Sequence, residues 1–280
     1  MAQPREMLRA PGVESRAMDA AQLRMMRSVE WTDLLQLRKH EVAHELVICL
    51  PWLAGSLAAA ALGHYGVALA CSFMFFLAGL RQVHNAFHHA FGLPRAASDA
   101  VMLVQSVLML GSMHAVQINH LRHHRHCMAD DDIEAMGARR SALGAIALGP
   151  WYPLCLHRKA LELATPLQRA WIWGELLANV LWIALVFLVL DYAALRYHVL
   201  AMAVGQCFTA FFAVWTTHRG CDRDGLLART IRNRFKAAIT YDMFYHLEHH
   251  LFPAVPTCKV RVLARRLDAC VPGLAAMKVY

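Results

Sequence analysis

The sequence predicts an all-α membrane protein: four transmembrane helices in two hairpins, an interfacial or re-entrant helix, and a cytosolic helical cap carrying clustered histidines. Three observations predict it. Of the 280 residues 58% are hydrophobic, mean hydropathy is +0.35, and several apolar runs approach the roughly 20 residues that cross a bilayer. Lysine and arginine are spread very unevenly about those runs. Ten of the 17 histidines fall in four short places.

Residues 1–43 form a polar arm. They hold no apolar stretch of the signal-peptide kind, so no cleaved leader is expected. An amphipathic helix from Met18 to Lys39 would rest Trp31, Leu34, Leu35 and Leu37 on the membrane surface; a loosely ordered tail is the equal alternative. His40 and His44 lie at i, i+4 with no partner motif, which makes them interfacial rather than ligating. A membrane domain over 44–256 and a cytosolic tail over 257–280 are expected to follow.

Leu46 to Leu62 is the first span, and Gly63-His64-Tyr65-Gly66 is a tight turn. Val67 to Leu80 is the second, its helix continuing through His89. Val101 to Ile118 is apolar but interrupted by Gln105, Ser106, Gly111, Ser112, His114 and Gln117. Were it to cross, the histidines at 120–124 would lie on the opposite side from His84. Metal–imidazole bonds are about 2 Å long, so a shared site needs a shared side, and this piece is read as re-entrant or interfacial. Residues 119–168 form a polar insert. Trp171 to Leu190 and Ala193 to Trp215 are the third and fourth spans, joined by a turn at Asp191.

On this map 27 of the 28 Lys and Arg residues lie on one side, and only Arg196 lies near the other. The positive-inside rule then puts both termini and every histidine cluster in the cytoplasm. Arginine-rich, alanine-rich composition is typical of GC-rich bacteria, so a bacterial inner membrane is the expected location. The net charge of +8 is explained by topology. No basic-aromatic module appears, and nucleic-acid binding is not expected. The eight cysteines include no CxxC pair, which argues against a zinc ribbon or a redox motif. Cys127 and Cys221 lie near histidine motifs; the expected role is apolar filler, with metal ligation the alternative.

His246, His249 and His250 sit at i, i+3 and i+4 in Tyr245-His-Leu-Glu-His-His-Leu-Phe-Pro253, so they share one helical face. His120-Leu-Arg-His123-His124 repeats that spacing. His84-Asn-Ala-Phe-His88-His89 is an HxxxHH variant, and His218 stands alone after an apolar run. A tetrahedral zinc ion takes four ligands. Eight or more convergent imidazoles suit two ions of higher coordination number with open positions, and iron fits best where an apolar substrate is to be oxidised. A non-enzymatic zinc binder or transporter is the other reading, although transporter ligands belong near the bilayer midplane, and these lie beyond helix ends.

The three boxes, over residues 45–256, resemble those of the membrane fatty acid desaturase superfamily. The most specific part is 245–256, and Asp130-Asp131-Asp132 after the second box resembles that family's acidic follow-on. The resemblance implies two iron ions and O2 as co-substrate. It also implies a lipid or acyl-chain substrate and an external ferredoxin-, rubredoxin- or cytochrome-like electron donor. It implies ligation by His84, by His88 or His89, and by His120, His123, His124, His218, His246, His249 and His250. A fatty acyl desaturase is expected first; a hydroxylase or ketolase on the same scaffold has like boxes. Glu248 would either hydrogen-bond an imidazole or lie on a solvated face, and Asp130–Asp132 would do likewise or cap a helix. Val214, four before His218, stands where some relatives carry Asn.

Overall fold

A computed structural model of the chain describes residues 20–221, 227–271 and 274. Among these the regular structure is helical. Three helices are long and apolar enough to cross a membrane: Lys39–Ala61, Tyr65–Phe87 and Pro166–Leu190. There are five if each of two bent pairs counts as one span. Large apolar side chains such as Val67, Leu69, Leu177, Val180, Leu181, Leu188 and Leu200 stand exposed on their outer faces, as a lipid-facing surface requires.

The first bent pair, Arg95–Met109 and Met113–His126, turns through 113°. Leu110 takes a left-handed conformation (φ 58°) that ends the first helix. Ser112 then caps the second, its hydroxyl accepting from Ala115 N–H, and the Ser106 hydroxyl accepts from Met113 N–H. These side chains satisfy backbone groups that a helix break would leave bare in lipid. The chain therefore bends sharply here, as a broken span or a re-entrant loop does. The second pair, Ala193–Gln206 and Ala210–His218, bends by 43° and passes through a π-helical stretch at Ala210–Trp215.

A buried core of Phe75, Phe76, Met102, Met109, Met113 and Met202 locks the first bent pair against helices Tyr65–Phe87 and Ala193–Gln206. Polar ties complete it. The Glu45 carboxylate accepts from Arg81 Nε at 3.0 Å and Asn85 Nδ2 at 2.8 Å. Asn85 Oδ1 in turn accepts from Thr257 N–H and hydroxyl at 3.0 and 2.8 Å. One amide inside the first histidine box thus joins the N-terminal helix to the segment following the last box.

Two expectations need correction. The second helix ends at Phe87, not His89, because His89 adopts φ 52°. The N-terminal arm is not one surface helix to Lys39. Met18 lies outside the described residues; a helix over Ala20–Arg27 and a 3-10 turn at Thr32–Leu35 follow. Met26, Val29 and Leu34 are buried against Leu263, Leu267 and Val271 of the C-terminal segment. The reason is the apolar face of helix Val260–Cys270: this segment covers Leu263 and Leu267, while Val260 and Ala264 pack against Ile231, Ala237 and Tyr245.

Candidate metal centre

Four elements deliver histidines to one place. His84 lies on the last turn of Tyr65–Phe87 and His88 follows it. At about 100° per residue, a residue four further on is only about 40° round the helix, so both rings point the same way. His120, His123 and His124 come from Met113–His126, His218 from the end of the last bent pair, and His246, His249 and His250 from the short helix His246–Leu251. That helix stops where Phe252 leaves helical geometry before Pro253, which cannot continue it.

The nitrogens divide into two groups. His84, His88, His120, His124 and His249 have donor atoms all within 4.8 Å of one another. In it Nε2–Nε2 separations are 3.1 Å for His88–His120, 3.2 Å for His120–His124 and 2.8 Å for His124–His249. The second group is a chain, His123–His218–His246–His250, with successive separations of 3.0, 2.9 and 3.3 Å. His123, His218 and His250 fall with Cys127 Sγ within 4.8 Å of one another, a set that does not include His246. Two nitrogens bound at about 2.1 Å to one ion, at right angles, lie about 3.0 Å apart.

Hydrogen bonds at the far nitrogens test whether a cation fits. His218 Nδ1 faces the Leu227 carbonyl at 3.1 Å and His123 Nδ1 faces the Asp132 carboxylate at 2.7 Å. Both partners only accept, so both Nδ1 atoms carry the proton. Were both rings neutral, the two Nε2 atoms, 3.0 Å apart, would present lone pairs to each other. Burial lowers His123, but the Glu134 and Asp132 carboxyls outweigh it and hold it well above its ordinary value, so its Nε2 can carry a proton toward His218. His120 Nδ1 likewise faces a carboxyl group, Glu134 Oε1, at 2.8 Å. His84 Nε2 is buried without a hydrogen-bond partner. A single shared proton bridges one such pair; four or five lone pairs around one point call for metal ions. The clusters are therefore compatible with metal binding.

Electrostatics agree. Burial, helped by the neighbouring imidazoles, holds His246, His249 and His250 well below their ordinary value, so their rings are neutral. Burial drives the Asp132 carboxyl upward, but hydrogen bonds from His123 and from Met128 and Ala135 N–H outweigh it and keep it ionised. Burial pushes Glu134 up to about 7.

Of the ten expected ligands the structure brings nine together. His89 joins neither group: its positive φ turns it off the helical path. Asp132 both orients His123 and caps the following turn, while Asp131 pairs with Arg122. Glu248 fits neither expectation. It is fully buried, accepts from Thr230 at 2.6 Å and pairs with Arg232 at 2.7 Å. Val214 is buried and apolar, so it offers no donor. Glu134 was invisible in the sequence, since it reaches His120 only through the 127–133 turn. His114 lies outside both groups, held by the buried Glu175 at 2.6 Å.

A cavity of about 100 Å³ runs up to His84, His120 and His246. Its walls are mostly apolar, among them Leu77, Leu80, Phe87, Met109, Phe212 and Phe244, with Glu134, Gln206 and Thr209 as polar points.

Comparison with individual curated proteins returns no match. The family model described as fatty acid desaturase matches residues 57–279. That match extends beyond the boxes into the C-terminal helix. With its helical membrane architecture and converging histidines, the chain belongs to the fatty acid desaturase family, a family of oxidoreductases.

Proposed function

We propose that the chain is an O2-dependent di-iron membrane oxidoreductase that introduces a double bond into a fatty acyl chain. The observation that carries this reading is the pair of imidazole groups, five and four strong, at the end of an apolar cavity. When bound, iron supplies the oxidising power of O2 chemistry, with electrons delivered by a separate ferredoxin-, rubredoxin- or cytochrome-like protein. The chain's own residues do the rest. Leu77, Leu80, Phe87 and Phe212 exclude water and hold a methylene chain, and His84, His120 and His246 mark where its reacting carbons lie. Glu134 and Asp132 fix the tautomers of His120 and His123. The asymmetric Lys and Arg distribution supports placing the site and both termini on the cytoplasmic side of a bacterial inner membrane.

Lipid profiling of cells making the protein together with a competent donor tests this reading. A new alkene at a fixed position is the expected result. A new hydroxyl or keto group instead would make the chain a hydroxylase or ketolase on the same scaffold. An unchanged profile from metal-loaded protein would leave a metal-binding membrane protein without this activity.

A further inference from the structure

The two nitrogen groups are unequal, and the smaller has a sulfur beside it. Cys127 follows His123 by four residues, just as His124 follows His120, so one helix offers two i, i+4 pairs. The pair His120 and His124 belongs to the five-nitrogen group. The pair His123 and Cys127 belongs to the other: Cys127 Sγ, His123, His218 and His250 have donor atoms all within 4.8 Å of one another. Sγ is 3.9 Å from His123 Nε2. At a metal–sulfur bond of about 2.3 Å and a metal–nitrogen bond of about 2.1 Å, that separation fits two ligands of one ion.

The backbone holds the sulfur there. Cys127 ends the box helix (φ −48°, ψ 124°) and Met128 turns the chain at φ 62°. Asp132, which orients His123, also accepts from Met128 N–H at 3.0 Å, so one carboxylate fixes the imidazole and the turn behind the thiol. The thiol donates to the Leu227 carbonyl at 3.3 Å, the carbonyl that also accepts from His218 Nδ1. One turn before His218, Val214 offers only an apolar side chain.

We propose that Cys127 is a donor of the second position, beside His123, His218 and His250, which makes the centre asymmetric: nitrogen alone at one ion, nitrogen and sulfur at the other. The thiol gives up its proton to solvent as the sulfur binds. This rests on the dimetal reading above and adds a ligand to it.

The test uses the full chain in detergent, stripped of metal and titrated with Co(II) while the absorption spectrum is recorded. Thiolate ligation gives a near-ultraviolet sulfur-to-cobalt charge-transfer band that imidazole does not. The band should appear in the wild type with the second equivalent or earlier. It should vanish in C127S, where the hydroxyl still donates to the Leu227 carbonyl, and persist in C221S. The weaker of the two Co(II) dissociation constants should rise by at least about tenfold in C127S. A wild type with two bound cobalt ions and no such band overturns the inference, as does a band that survives in C127S. A chain that takes up no cobalt at all fails the dimetal reading itself, and the absence of visible ligand-field bands tells that failure apart.

Discussion

His249 reaches across from the last box to the group built on the first two, so its loss breaks a bond between distant segments. His249→Ala is expected to lower bound metal from about two ions per chain toward one and to abolish turnover, by elemental analysis and lipid assay. His89→Ala, outside both groups, is expected to leave metal content unchanged. Asn85 carries a different load, because removing its amide takes one donor from the buried Glu45 and strands the Thr257 N–H. Asn85→Ala should cost about 1–3 kcal/mol, read as a lowered midpoint of thermal unfolding in detergent. At this scale the ligands were legible because i, i+3 and i+4 spacing is a local property of helices. His89 was undecided because the same spacing leaves open where a helix stops. Glu134 and the Glu248–Arg232 pair were not legible at all. Each depends on a partner brought near by tertiary folding, with no spacing rule to announce it.

Helices and their junctions carry the next level. The break near Cys207 is pressed by the end of helix Ala142–Leu148: a Cβ added at Gly149 would lie 1.6 Å from the Cys207 carbonyl oxygen. Gly149→Ala is therefore expected to destabilise by about 1–3 kcal/mol or more, seen as reduced yield of folded protein and a lower unfolding midpoint. The N-terminal turn is tied to the C-terminal helix by Asp33 and Arg266, at 2.6 and 2.7 Å. The hydrogen bond from Arg266 holds the Asp33 carboxyl below its usual range. A carboxyl lowered by folding stabilises above its unfolded value near 4 and loses that contribution as pH falls through the folded value. Hydrogen exchange over residues 24–35, corrected for intrinsic rate, should quicken as pH drops below about 4, and Asp33→Asn should remove the dependence. Apolar run length made the spans legible; the 113° turn was not, since at 101–118 only the need for the histidines to share a side argued against a crossing. The docking of the arm was not legible. An amphipathic stripe records that one face is buried, and protein or lipid can be what covers it.

Across the whole molecule, charge and hydropathy set the frame in which the boxes meet. With 27 of 28 Lys and Arg residues on one side of the expected spans, a reporter fused after Tyr280 should be active in the cytoplasm. One inserted at Asp191 should be active on the opposite face. A cytoplasmic Asp191 would put the boxes on different sides and remove the common site. The same folding that gathers nine imidazoles leaves their lone pairs aimed at one another, an arrangement that costs stability unless cations sit between them. Metal quantification on the purified, detergent-solubilised chain tests that point most directly. The account predicts about two iron ions per chain after expression with iron, and a fall in thermal midpoint when they are removed by chelation. Fewer than one ion per chain after iron-replete expression, with a midpoint indifferent to chelator, would contradict it.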